Sequence, residues 1–306
     1  KLTNSLLKTT QSARKLRVKT YKVIPFTPEA GLLEWVDDTM TLASYLVNGE
    51  GGVRSAHERY RPNDLRSDKC REMMMQAISS NSLRMTYDEI CDKFKPVMHH
   101  LFLENFALPA QWHAARLQYT RSVAVNSMVG YIIGLGDRHN SNILIDNKTA
   151  EVVHIDLGIA FEQGLYLKTP ERVPFRLTRD LVDAMGACGV EGVMRRCCEE
   201  TMKVLRANKD ALTTIIAVLV HDPIVKWAVS SKRQRTGISV EEADNGMAAQ
   251  TGNLDAERAL LRVTQKLDGY EEGEILSVEG QVQQLLHDAQ DEENLSKMYH
   301  GWAAWV

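Results

Sequence analysis

Asp137, Asn142 and Asp156 are the residues whose types and spacing point most directly to chemistry. Asp137 stands in Gly136-Asp137-Arg138-His139-Asn140-Ser141-Asn142, the amide follows it by five residues, and Asp156 later opens Asp156-Leu157-Gly158. A carboxylate to accept a hydroxyl proton, with an amide oxygen and a second carboxylate to hold a divalent cation on phosphates, is the set that phosphoryl transfer from a nucleotide needs. That reaction asks for positioned charge and little covalent work from the protein. Alone, an Asp-Arg-His on a loop is ordinarily a surface ion pair, and an Asp-Leu-Gly is ordinarily a turn. The order carboxylate, amide, short hairpin, carboxylate is what gives the joint pattern its weight. Protein kinases keep the same five-residue step from Asp to Asn, but their histidine precedes the Asp, whereas His139 follows it here.

These side chains need elements to hold them. Apolar residues recur at helical spacing from Trp112 to Leu135, predicting a helix that closes at Gly134-Leu135-Gly136 and delivers Asp137. Asn142–Ile145 and Glu151–Ile155 read as two strands joined by Asp146-Asn147-Lys148-Thr149-Ala150, a hairpin with the motifs at its two ends. Around them Leu42, Tyr45 and Leu46, then Met73–Ile78, Ile90–Val97 and Arg179–Val229, predict a mostly helical lobe. Toward the N-terminus Lys15–Phe26 reads as a strand, Thr27–Gly31 as a turn and Leu32–Val36 as a second strand. The basic residues Arg14, Lys15, Arg17, Lys19 and Lys22 are expected to form a solvated strand face. Ser230–Asp255 is polar and carries Gly237, Gly246 and Gly252, which predicts a linker. Helices around Leu260–Leu267 and Val278–Leu286 follow, then the aromatic tail Tyr299–Val306, whose Trp302 and Trp305 are expected to pack.

Composition sets outer bounds. The chain has 306 residues, 44% hydrophobic and 25% charged, enough to bury a real core. A formal charge of −3 gives no bulk signal for nucleic acid or a membrane surface. Five cysteines, with no Cys-x-x-Cys pair, point to a reducing compartment. No apolar run approaches the roughly 18 residues of a membrane span.

The run GDRHNSNILID followed by VHIDLGIAFEQG resembles the catalytic and metal-binding loops of the phosphatidylinositol-3-kinase-related protein kinases. Supporting runs are Leu33–Val36, Arg59–Asp64, Tyr119–Ala124, Val173–Asp180 and Gly192–Glu199, and the likeness extends from about Thr20 to Val306. It implies an α+β, two-lobed kinase fold: a partial β-rich N-lobe and hinge over 1–36, a helical C-lobe over 37–229, a flexible linker or regulatory loop over 230–256, and C-terminal helices with a FATC segment over 257–306. Carried over by position, Asp137 would be the catalytic base or hydroxyl-orienting carboxylate and His139 would stabilise the transferred phosphate. Asn142 and Asp156 would ligate Mg2+ or Mn2+, with Arg138 bracing the loop. The backbones of Glu34 and Val36 would bond adenine, Trp35 would pack on its ring, and Leu144 and Ile155 would line the pocket. As residues of a strand pattern, Trp35, Leu144 and Ile155 also suit plain core filling.

Lipid kinases of the same superfamily share the catalytic loop, so the segment after Asp156 has to choose the substrate. Leu157–Leu167 contains no basic residue to hold a phosphorylated inositol ring, which favours protein. The resemblance further implies a Ser/Thr protein kinase using ATP, with Ser or Thr followed by Gln as its target, acting in DNA-damage signalling in the nucleus and also the cytoplasm. It implies homodimerisation through regions outside this chain, and dependence on the upstream remainder of the same polypeptide. The phosphate-covering loop, nucleotide lysine and its acidic partner are expected ahead of the stretch resembling Leu2–Leu7, so these residues alone should turn over little ATP. The alternatives are a catalytically inactive scaffold relative, which should have lost one of the three site residues, and a phosphoinositide kinase.

Overall fold

The computed structural model describes residues 1–27, 30–220 and 245–306. Helix α1 (Leu2–Thr9) buries Leu7, which joins Ala13 and Leu16 against Val125 and Val204. The N-terminal segment is thereby fixed to the helical body. The chain then forms an antiparallel ribbon, β1 (Val23–Thr27) and β2 (Ala30–Leu33), with Val23 opposite Leu33. Its first strand starts later than the sequence pattern predicts. Arg17 and Lys19 do not form a solvated strand face; they leave the extended run to pair with the buried carboxylates Glu151 and Asp146.

β3 (Thr39–Thr41), β4 (Ile143–Asp146) and β5 (Val152–His154) make an antiparallel sheet in that order. Asp146 folds the connecting loop by accepting the backbone N–H groups of Lys148 at 2.8 Å and Thr149 at 2.7 Å, the side-chain turn for which Asp is suited. The hairpin is seated on α6 (Pro109–Ile132): the Ser122 hydroxyl accepts Val152 N–H at 2.9 Å, and Asn126 donates to Val152 O.

The helical body comprises α2 (Ala56–Tyr60), α3 (Ser67–Ser80), α4 (Leu83–Lys93), α5 (His100–Asn105), α6, α7 (Arg179–Asp183), α8 (Val193–Ala207) and α9 (Lys209–Val220). Almost every residue of α6 from Tyr119 to Ile132 is buried, which makes it the central helix rather than a surface one. Met194, Cys198, Met202 and Leu205 line one side of α8, which packs on α6. The expected linker lies outside the described residues as far as 244; from Asn245 the chain is helical as α10 (Asn245–Asp268). Gly246 and Gly252 lie inside that helix, whose buried stripe of Ala256, Ala259, Val263 and Leu267 supplies packing that outweighs local propensity. Residues 221–229, read as helical from their pattern, also lie outside the described residues.

A small ribbon, β6 (Tyr270–Glu271) with β7 (Glu274–Ile275), leads into α11 (Val278–Asp288) and α12 (Glu292–Ser296). Ser277 caps α11 and Asp291 caps α12 through side-chain oxygens that accept free N–H groups of the first turn. The tail ends with Trp302 and Trp305 buried, and Tyr87 donates to Ala304 O at 3.3 Å.

Candidate active site

After α6 the chain turns through Gly134, at φ +57°, and reaches Asp137 in a left-handed conformation at φ +56°. That geometry is uncommon outside glycine and needs support. Two side chains supply it. Asp137 N–H donates to Glu171 Oε1 at 2.7 Å, and Asn142 Nδ2 donates to Asp137 O at 2.9 Å. Asp156 is also left-handed, at φ +52°, and its Oδ1 accepts Gly158 N–H at 3.3 Å.

Arg138, only 3% exposed, joins the two motifs. Its Nε donates to Gly136 O at 2.8 Å, its Nη1 to Ile155 O at 2.6 Å and its Nη2 to Asp156 O. One guanidinium thus closes both ends of the hairpin and braces the loop, as the family resemblance implies. Burial lowers its pKa from the ordinary arginine value, an effect opposed by the nearby Asp137 and Asp156.

His139 Nδ1 accepts Ser141 N–H at 3.2 Å, so the neutral ring carries its hydrogen on Nε2, which lies 4.0 Å from Asp137 Oδ2. Asn142 is nearly buried. With its Nδ2 engaged by Asp137 O, its Oδ1 is the group that remains for a ligand. Asp137, His139, Asn142 and Asp156 therefore form one cluster held together through Arg138 and backbone bonds.

The sheet register extends that cluster. Ile143 pairs with His154 and Leu144 with Val153, and Ile155 N–H donates to Asn142 O at 3.1 Å. Side chains two residues apart and directly opposite share a face. Leu144, Ile155 and Asn142 consequently lie on one side of the hairpin, while Ile143 and Ile145 are buried on the other. β3 pairs with β4, placing Thr41 opposite Leu144, and the Glu34–Val36 segment runs directly into β3. Trp35 is 85% exposed, which rules out core filling. Glu34 N–H is engaged by Lys22 O at 2.9 Å, and Val36 O accepts the Thr39 hydroxyl at 2.7 Å.

Several residues around this cluster carry no signal in the linear pattern. Glu171 sits against Gly136 and Gly164, where a Cβ on either glycine would collide with its carboxylate. Burial pushes its carboxyl up from the ordinary value. The segment after Asp156 is stitched to the end of α6: Gly136 N–H donates to Ile159 O, Phe161 N–H to Ile133 O and Glu162 N–H to Gly134 O. Lys266 of α10 reaches into this place, donating to Tyr131 O at 2.7 Å and pairing with Glu162. Arg176, fully buried, donates to Trp302 O at 2.7 Å, Ala303 O at 2.9 Å and Val306 O at 2.7 Å, and makes a longer contact of 3.4 Å to Arg138 O. Its guanidinium also lies 4.3 Å from the centre of the Trp302 ring. The C-terminal tail is thus tied to the loop of Asp137 and Arg138 by the Arg176 side chain. The glycines at 136 and 164 are the one trace of this packing in the sequence.

Residues 1–229 match the family described as phosphatidylinositol 3- and 4-kinase. The chain belongs to that family. In addition, residues 275–306 of this phosphatidylinositol 3- and 4-kinase family member match the FATC domain. The chain is 57% identical to the serine/threonine-protein kinase ATM of Arabidopsis thaliana over 96% of its length, and 47% identical to the serine-protein kinase ATM of Sus scrofa over 99%. These alignments cover 8% and 10% of the two relatives, so the chain spans about a tenth of the length of the curated relatives it matches. The solved FAT and kinase domain of CtTel1 superposes with a TM-score of 0.85 at 41% identity, covering all of this chain and 20% of that one.

Proposed function

We propose that this chain is the C-terminal catalytic part of a serine/threonine protein kinase of the ATM and Tel1 type, transferring the terminal phosphoryl group of ATP to Ser or Thr followed by Gln. The observation that carries the reading is the Arg138 guanidinium, which fixes the loop of Asp137 and Asn142 to the backbone of Asp156. Asp137 orients the acceptor hydroxyl and takes its proton. His139 offers Nε2–H toward the oxygens of the group in transit, stabilising charge where it develops. Asn142 Oδ1 and the Asp156 carboxylate are hard oxygen donors, the set that suits Mg2+ or Mn2+. The cation, when bound, neutralises charge on the nucleotide phosphates. For the adenine edge, the Glu34 carbonyl and the Val36 N–H are the hinge groups not engaged among the described residues. Trp35 covers the base, with Leu144 and Ile155 beneath it.

Protein is favoured over lipid because the segment after Asp156 presents Leu157, Leu165 and Tyr166 to solvent and has no basic side chain before Lys168. A phosphorylated inositol needs cations there, whereas a peptide needs apolar contact. The parent polypeptide is further proposed to act in DNA-damage signalling in the nucleus and cytoplasm and to homodimerise through regions beyond this chain. One of the solved relatives is the complete CtTel1 dimer with C2 symmetry. No helix among the described residues is long and apolar enough to cross a membrane.

The test offers the full-length protein, with ATP and Mg2+, a Ser-Gln peptide and a phosphoinositide vesicle side by side. Label on the peptide alone is expected. Label on the lipid and not on the peptide would turn the assignment to a lipid kinase, and no label on either would support the inactive scaffold.

A further inference from the structure

Asp137 is a non-glycine residue in the left-handed region. Such a residue persists only where its surroundings over-determine it, and such strain collects at working sites. The Asp137 carbonyl is held by Asn142, a residue of the same loop. Its N–H is held from a different part of the chain, 34 residues on, by Glu171 at 2.7 Å. Glu171 is itself fastened: its own N–H donates to Gly164 O at 3.1 Å, and the absence of a Cβ at Gly136 and Gly164 creates the slot that its carboxylate fills.

We propose that Glu171 is a positioning residue for phosphoryl transfer, using its carboxylate to set the Asp137 backbone and to lock the segment after Asp156 in register with it. The proposal rests on the phosphoryl-transfer reading of Asp137. Gly164 and Glu171 lie in the stretch between Asp156 and α7, on which an acceptor peptide would have to lie. A peptide seating there and the carboxylate receiving its hydroxyl proton are thus connected through one side chain. Glu171 does not touch substrate. It acts by fixing where Asp137 stands, and small misplacements of reacting groups are costly to rate. Burial of the carboxylate, which raises its pKa, is a standing cost that its bond to Asp137 opposes. A neutral acceptor of the same shape therefore serves the same purpose.

Three substitutions in the full-length protein separate this role from packing. Glu171→Met keeps the volume and removes the acceptor; Glu171→Ala removes both; Glu171→Gln keeps an amide oxygen for Asp137 N–H. Steady-state transfer to a Ser-Gln peptide is expected to fall about 10- to 100-fold in kcat for Met and Ala, with KM for ATP within about twofold of wild type. Glu171→Gln should recover kcat to within about threefold. Hydrogen exchange across residues 135–141 gives a reading independent of turnover, rising in Met and Ala and staying low in Gln. A Met variant with wild-type kcat and unchanged exchange would overturn the proposal in favour of simple space filling. A Gln variant as slow as Met would overturn it in favour of a requirement for charge. Wild-type protein that labels no peptide would count against the kinase reading, and the exchange pattern would still decide whether Glu171 anchors Asp137.

Discussion

The two ends of the β4–β5 hairpin and the hinge ahead of β3 are both assigned to nucleotide chemistry, yet they are held in opposite ways. At the hairpin, Arg138, Glu171 and Arg176 come from separate stretches and bond backbone carbonyls and an N–H, so that the positions of Asp137 and Asp156 are over-determined. At the hinge, Trp35 stands exposed, the flanking β1–β2 ribbon shows Val23, Phe26 and Leu33 to solvent, and a few bonds such as Glu34 to Lys22 fix the path. Groups that perform a reaction need a fixed geometry, whereas a surface that grips a flat ring needs area and a backbone edge. Substitutions at the hairpin should therefore affect the chemical step or the fold, and those at the hinge should affect affinity.

A very large effect is expected at Asp156. Asp156→Ala should lower peptide phosphorylation by at least about a thousandfold, because a metal-holding carboxylate contributes several kcal/mol to charge stabilisation. The check is single-turnover transfer at saturating ATP and Mg2+. Next comes Arg176→Ala, which strands the carbonyls of Trp302, Ala303 and Val306 and leaves a cavity beside Trp302. A loss of about 3 kcal/mol is expected from unsatisfied buried acceptors and lost packing. It should appear as a lower denaturation midpoint, and full stability would break the link between tail and catalytic loop. At the hinge, Trp35→Ala should raise KM for ATP about tenfold, in line with the roughly 1 kcal/mol or more that an aromatic contact contributes. Its denaturation midpoint should not change. A drop in kcat with an unchanged KM there would erase the contrast between the two regions.

A pH-dependent effect belongs to His154 on β5. Burial holds its imidazole down to about 3, well below its ordinary value of 6.5. Between those two values the unfolded chain binds the extra proton, so stability rises with pH and is lost as pH falls, at no more than about 1.4 kcal/mol per pH unit. His154→Gln should flatten the pH dependence of the denaturation midpoint below pH 6.5. An unchanged slope would remove His154 from the account.

The hairpin and the helices were readable because each depends on local periodicity. The expected runs 142–145 and 151–155 differ by one residue at each end from the observed Ile143–Asp146 and Val152–His154. The juxtaposition of Asp137, Asn142 and Asp156 is readable because their spacing is fixed by a single hairpin. Glu171, Arg176 and Lys266 were not, because each is a lone polar residue whose partner lies on another element, and no period marks it. The start of α10 departs from the expected linker for a related reason. Its glycines indicate a loop locally, while the packing that makes it helical comes from the residues beyond Ala256.

The most direct test of phosphoryl transfer centred on Asp137 is the rate of label transfer from ATP to a Ser-Gln peptide by full-length Asp137→Ala, measured with ATP binding and the denaturation midpoint on the same sample. Transfer reduced to background is expected, with ATP affinity and stability within about twofold and about 1 kcal/mol of wild type. Transfer at the wild-type rate by that folded, ATP-binding variant would contradict it.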